Sequence, residues 1–197
     1  EKRMRELFSL TARCFHCSVG PKGVRPLGLD QHDHTVKVYA DDTVWPCCKP
    51  CNFSRGGLTF DAFRQACRNI VSYQDDGIAN AVAIPYVMKR NCVRQRGSNY
   101  VQLVHRATTH GWIVEFTREE HYVMRFHSTC YLCGIHGTAD LPLGVDRLDN
   151  KQHYTRENSR PCCTCCNMMK KTASFDDFII RCRAIVAQTS APSSSAV

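Results

Sequence analysis

The sequence predicts an α+β protein made of two small lobes in tandem, each closed around a metal ion. Three observations lead there. Pairs of the form Cys-x-x-Cys, about thirty residues apart, occur twice: Cys14/Cys17 with Cys48/Cys51, and Cys130/Cys133 with Cys163/Cys166. The second set is a copy of the first. A shift of 116 takes Cys14, Cys17, Gly28 and Asp30 onto Cys130, Cys133, Gly144 and Asp146, and a shift of 115 takes Pro46, Cys47, Cys48, Cys51 and Asn52 onto Pro161, Cys162, Cys163, Cys166 and Asn167. Finally, one helical stripe repeats, as Phe60, Phe63, Cys67, Ile70 and Val71 and then as Phe175, Phe178, Cys182, Ile185 and Val186.

The boundaries follow as a first lobe at 1–71, a basic linker at 72–97, a second lobe at 98–188 and a polar tail at 189–197. Lobes this small bury little apolar surface, so a metal would contribute much of their stability. Fourteen cysteines could instead form a disulfide framework, but the paired spacing favours metal in a reducing, intracellular compartment. No apolar run spans a membrane, since Ile78 to Met88 is broken by Asn80 and Pro85. No signal-peptide pattern is present, and a start at Glu1 rather than Met is compatible with removal of a leader or of a longer N-terminus. The net charge of +8 suggests an acidic partner such as nucleic acid. Two ions each bound by four thiolates would add −2 apiece and leave +4.

In chain order, Glu1 to Ala12 reads as an amphipathic helix with Met4, Leu7, Phe8 and Leu10 on its apolar side. Val19 to Leu29, rich in Gly and Pro, reads as loop, and Thr35 to Tyr39 as a short strand. Thr59 and Ser174 cap the two helices that carry the repeated stripe, which makes Cys67 and Cys182 core residues rather than ligands. The linker holds Lys89, Arg90, Cys92, Arg94 and Arg96, either as a solvated connector or as an arm along phosphates. Ser98 opens a helical pattern through Tyr100, Leu103, Val104 and Ala107 that Gly111 ends, and Trp112, Val114 and Phe116 then alternate like a strand. Thr117 and Glu120 form a capping box for the helix that leads to Cys130.

Ligand choice is ambiguous in the second lobe, where Cys162/Cys165 and Cys163/Cys166 have the same spacing. In the first lobe Pro50 stands in the place of Cys165, so only Cys48/Cys51 keeps the spacing. Cys14, Cys17, Cys48 and Cys51 are therefore assigned to one structural Zn2+, and Cys130, Cys133, Cys163 and Cys166 to another. Cys47 and Cys162 become buried neighbours.

Gly144-x-Asp146-Arg147-x-Asp149-Asn150, then Tyr154, Asn158 and Pro161-Cys162-Cys163-x-x-Cys166-Asn167-x-Met169-Lys170, resembles the HNH endonuclease family in its zinc-stapled, treble-clef branch, common in phages and large DNA viruses. The likeness covers roughly the second half of the chain, and the first lobe only through the duplication. It implies tandem HNH-like ββα lobes in which a second metal, held between hairpin and helix, serves phosphodiester cleavage. Carried over, Asp146 and Asn167 stand at metal-ligand positions and Asn158 at the position that orients the base. The general-base position holds Arg147, which stays protonated and cannot take a proton from water. In the first lobe Asp30 and Asn52 match the ligand positions, while Gln31 stands where the base belongs. Sliding the register by one residue brings His32 to that place, with His34 beyond it, at the expense of the Gly28/Gly144 match.

The resemblance therefore implies a degenerate, non-cleaving protein that binds nucleic acid and retains at most a weak Mg2+ site. Lys89, Arg90, Arg94, Arg96, Arg147, Lys170 and Lys171 are the expected phosphate contacts. RNA within a large assembly of other proteins is expected by analogy with enzyme-derived subunits of ribonucleoproteins such as organellar ribosomes; this points to the mitochondrial matrix, with nucleus and virion as alternatives. The competing functions are an active metal-dependent DNA endonuclease working through His32 and a zinc-stabilised protein-interaction module.

Overall fold

A computed structural model describes residues 2–23, 27–33, 38–40, 42–79 and 99–190. Among them are seven helices and two small two-stranded sheets. The first repeat contains α1 (Lys2–Leu7), β1 (Gly28–Gln31), β2 (Val44–Cys47), α2 (Lys49–Arg55) and α3 (Phe60–Asp76). The second contains α4 (Tyr100–Thr109), α5 (Arg118–Phe126), β3 (Gly144–Arg147), β4 (Ser159–Cys162), α6 (Thr164–Lys170) and α7 (Phe175–Ser190). Both hairpins are antiparallel and share one register, Gly28 opposite Cys47 and Gly144 opposite Cys162. Each hairpin therefore delivers its last cysteine directly into the short helix that follows.

Local chemistry sets the helix ends. Thr59 accepts from the Ala62 amide to start α3, the Ser174 hydroxyl accepts from the Asp177 amide at the start of α7, and Thr117 and Glu120 complete the capping box of α5. Pro50 sits in the first turn of α2, where a missing N–H costs nothing. Asn99 caps α4 by accepting from the Gln102 amide, so the start expected at Ser98, itself outside the described residues, falls one residue later.

Several local expectations are corrected. β1 lies at Gly28–Gln31, partly inside the stretch read as loop, whereas Val38 and Tyr39 belong to no strand and stand exposed. Residues 34–37, including His34, lie outside the described residues. The four residues of β1 have little strand propensity of their own, and pairing with Val44–Cys47 defines them. α1 stops at Leu7, which is buried, while Phe8 and Leu10 are exposed. Of the alternating stretch at Trp112 to Phe116, only Val114 makes a bridge, to Tyr154. α3 runs on to Asp76, past the boundary set at residue 71.

One hydrophobic core runs through both repeats. α3 contributes Phe63, Cys67 and Ile70, and α7 contributes Phe178, Cys182 and Ile185. Cys67 and Cys182 occupy equivalent positions of the two repeats, and their side chains meet. Contact between equivalent residues is the mark of a twofold relation. The same relation recurs nearby: Ser18 donates to Gln188, while at the equivalent places Gly134 lies against Tyr73 so closely that a Cβ would overlap the ring. No helix among the described residues is long and apolar enough to cross a membrane.

Phe63→Ala and Phe178→Ala should each cost about 3–5 kcal/mol, the usual range for a large aromatic lost from a packed interior. Because both rings belong to one core, each variant should shift a single unfolding transition, read by circular dichroism in denaturant, rather than one of two separate transitions.

Candidate metal centres and the ion pairs beside them

Each metal centre is assembled from a cysteine knuckle and the start of a short helix. In the first knuckle Cys14 N–H donates to Val19 O at 2.8 Å and Ser18 N–H to Cys14 O at 2.8 Å; in the second Cys130 N–H donates to Ile135 O at 2.8 Å and Gly134 N–H to Cys130 O at 2.8 Å. Each knuckle is then tied to its hairpin, Phe15 N–H to Pro46 O at 2.8 Å and Tyr131 N–H to Pro161 O at 3.0 Å. Cys48 and Cys163 are the N-cap residues of α2 and α6. Cys51 and Cys166 follow one turn on and face the same way.

The structure brings together the two sets expected from spacing. Cys14, Cys17, Cys48 and Cys51 have their sulfurs within 4.8 Å of one another, as do Cys130, Cys133, Cys163 and Cys166. Cys17 to Cys48 and Cys133 to Cys163 are both 3.8 Å. A tetrahedron with metal–sulfur bonds of about 2.3 Å has sulfurs about 3.8 Å apart, so both groups fit a four-coordinate ion. Hydrogen bonds from Cys17, Cys47, Cys48 and Cys51 hold Cys14 far below the ordinary thiol value. Burial opposes ionisation of Cys130, but hydrogen bonds from Cys133, Cys162, Cys163 and Cys166 outweigh it. The hydrogen bonds that Cys48 and Cys51 make to Cys14, and then to Cys17, push both of them upward. Sulfurs held this close compete for one another's protons, and a bound cation would let all four act as thiolate ligands.

The remaining cysteines are placed as expected where they are described. Cys47 and Cys162 are buried beside the ligand sets, with Cys162 Sγ 4.0 Å from Cys130 Sγ. Cys165 turns away towards Met169 Sδ at 3.7 Å, which agrees with the ligand choice made from the first repeat. Cys67 and Cys182 lie in the core. Cys92 lies outside the described residues.

Beside each metal centre the hairpin carboxylate is held by a buried cation. Arg55, at the end of α2, donates from Nε to Asp30 Oδ2 and from Nη2 to Asp30 Oδ1, both at 2.6 Å, and also to Gln31 O at 2.6 Å. Lys170, at the end of α6, places Nζ 3.1 Å from Asp146 Oδ2 and donates to Arg147 O at 3.0 Å. The second partner differs. His16 Nε2 lies 3.0 Å from Asp30 Oδ2, whereas the Tyr131 hydroxyl donates to Asp146 Oδ2 at 2.6 Å. Burial pushes the Asp30 pKa up, but the hydrogen bonds from His16 and Arg55 win and lower it. Burial, then the Asp146 charge, raises the Tyr131 phenol, so it stays protonated as a donor.

His16, Asp30 and Cys47 also bring three donor atoms within 4.8 Å of one another. Arg55 occupies both carboxylate oxygens, and a guanidinium at that distance repels an incoming metal ion. This group is better satisfied as an ion pair than as a metal site.

The other residues singled out from the sequence are placed as follows. Asn52 donates to Leu29 O at 3.0 Å and so braces α2 against β1. Asn167 lies half-buried on α6. Gln31 donates to Val38 O at 3.2 Å, and His32 is exposed with its ring centroid 4.2 Å from that of Trp45. His32 belongs to no potential metal group among the described residues. Asn158 donates to Asp149 O and His153 O and accepts from Asp149 N–H, so its amide braces the hairpin loop.

Arg147 and Lys170 depart from the expectation of surface phosphate contacts. The Arg147 guanidinium carbon lies 3.5 Å from the Trp112 ring centroid and 4.8 Å from that of Tyr154, and Nη1 donates to Gln152 O at 2.9 Å. Arg147 is 6% exposed and Lys170 is 1% exposed, so neither presents its charge at the surface. Lys171 is half-buried. Lys89, Arg90, Arg94 and Arg96 lie outside the described residues.

His16, Arg55 and Tyr131 escaped the sequence reading. The duplication carried a signal for Arg55, because a shift of 115 places it on Lys170 just as a shift of 116 places Asp30 on Asp146. His16 falls on Leu132, so nothing in the repeat marks it.

Metal analysis should give two ions per chain, and Cys48→Ser should reduce the count to one. Lys170→Ala should cost about 3–5 kcal/mol in a denaturation series, because it strands Asp146 as a buried unpaired charge; Asp146→Asn combined with Lys170→Met should recover most of that loss.

No family model matches this chain, and no solved structure matches it. The chain is similar to "Uncharacterized protein R423" of Acanthamoeba polyphaga mimivirus, with 25% identity over 175 residues, or 87% of this chain. That match covers 31% of the relative, so the chain spans about a third of the length of the protein it resembles.

Proposed function

We propose that the chain is a non-cleaving, HNH-like double treble clef that holds two structural zinc ions and binds nucleic acid as a structural component. One observation carries the non-cleaving part: the carboxylates aligned with the family's catalytic metal ligands are each held by a protein cation, Asp30 by Arg55 and Asp146 by Lys170. A positive group there opposes the binding of Mg2+, and Arg147 and Gln31 supply no neutral base for an attacking water. The order knuckle, hairpin and cysteine-capped helix, present twice, supports the treble-clef reading. All-sulfur ligand sets suit zinc and leave no open position for a substrate.

The net charge, +8 before thiolate ionisation, supports an anionic partner. In this reading Lys89, Arg90, Arg94, Arg96 and Lys171 make the phosphate contacts. Lys170 and Arg147 are structural cations. The mimivirus relative favours a viral setting over the mitochondrial ribonucleoprotein expected by analogy, and either DNA or RNA satisfies the proposal.

The zinc-loaded chain should leave supercoiled plasmid and structured RNA intact in Mg2+ or Mn2+. Cleavage that disappears in His32→Ala would restore the first repeat as an enzyme. Binding to duplex DNA should weaken with salt at a log–log slope of about −4 to −5, as expected for five phosphate contacts. Replacing the four linker cations by Ala should make that slope shallower by about 3–4. A slope near zero would favour a protein-interaction module instead.

A further inference from the structure

α2 and α6 meet where the two repeats join, and there the chain exposes an aromatic ring surrounded by charge. Phe53, on α2, is 58% exposed. Lys49, one turn earlier on the same helix, has its ammonium 6.0 Å from the ring centroid. Lys171, from the other repeat, has its ammonium 4.4 Å from the same centroid. A single exposed apolar side chain is ordinary. Both contacts are cation–π interactions, and together they set two positive charges from different repeats at one exposed ring.

Lys171 also sits in a backbone conformation that favours glycine. It follows α6 with φ 51° and ψ −117°, and Gly56, its counterpart after α2, has φ 52° and ψ −117°. The first repeat meets this turn with the residue that has no Cβ, whereas the second holds a lysine there under strain. Partial burial lowers the pKa of Lys171 by desolvation. An ammonium stripped of part of its water gains more from a nearby anion than a fully solvated one.

We propose that Phe53, Lys49 and Lys171 form a stacking platform for single-stranded nucleic acid, in which a base lies on the Phe53 ring and the two ammonium groups hold the flanking phosphates. An open aromatic ring beside cations accepts any base face, and a duplex buries those faces, so the platform selects unpaired strands without selecting sequence. The inference rests on the nucleic-acid reading above and specifies the form of nucleic acid bound.

The test uses the full metal-loaded chain and fluorescence anisotropy, with labelled oligo(dT) and oligo(U) of about 12 nucleotides, within the usual single-strand site size, and a duplex of equal length. Phe53→Ala should weaken both single strands roughly 5- to 150-fold, the range for losing one base–aromatic stack, and leave duplex binding unchanged. Phe53→Trp should restore affinity. Lys171→Gly should raise the melting temperature by relieving strain while weakening single-strand binding, a combination that a merely structural lysine would not give. If the native chain binds single strands and Phe53→Ala binds them equally tightly, or loses duplex affinity to the same degree, the platform is overturned and the nucleic-acid reading stands. If the native chain binds no nucleic acid in any form, that reading falls and the platform with it.

Discussion

Four sulfurs drawn within 4.8 Å of one another make a demand that the rest of each repeat answers. Two thiolates 3.8 Å apart repel by roughly 1–4 kcal/mol at effective dielectric constants between those of water and a protein surface. Four of them hold together only around a cation. The knuckle hydrogen bonds, the common hairpin register and the placement of Cys48 and Cys163 as N-cap residues all fix the sulfurs at tetrahedral spacing. In a lobe with so little core of its own, ligation energy would be folding energy.

Next to each sulfur group lies a second buried charge, and the protein supplies its counterion. Asp30 is held by a guanidinium that matches both carboxylate oxygens, with His16 alongside. Asp146 is held by a single ammonium and by the Tyr131 hydroxyl. The two repeats thus keep one electrostatic arrangement with different side chains: where Lys170 has one point of contact, a phenol adds another donor. Such pairs contribute little net stability but are costly to break, because either partner left alone is a desolvated charge. They tie the end of each short helix to its hairpin.

The packing of the repeats gives the molecule its internal symmetry. α3 and α7 place Cys67 against Cys182, and the Ser18–Gln188 contact is answered by Gly134 against Tyr73. Each stripe is covered only in part by its own repeat, with Phe60 against Phe15 and Trp45, Phe63 against His16, and Phe175 against Tyr131. Each long helix completes the other's core, and the hydrophobic interior is therefore one body even though the candidate metal centres are two. The same relation brings α2 beside α6 and so sets Lys171 of one repeat against Phe53 of the other.

Features with a strong local cause were legible in the residues alone. The two groups of four cysteines that could hold a metal follow from Cys-x-x-Cys spacing kept through a duplication, the caps at Thr59, Thr117 and Ser174 from a side chain bonding to an amide a few residues on, and the long helices from an apolar stripe with the helical period. Features that depend on distant partners were not. β1 is a strand because Val44–Cys47 lies beside it; Arg147 is buried because Trp112, far away in sequence, stacks on it; Lys170 is an interior counterion because Asp146 lies under the end of α6. A positive charge in a sequence carries no mark of whether it will meet solvent or a buried carboxylate. The chain by itself therefore determined where metal could be bound and which segments were helical, and only the tertiary structure decided which cations face outward, because burial is a property of what packs against a residue and not of the residue.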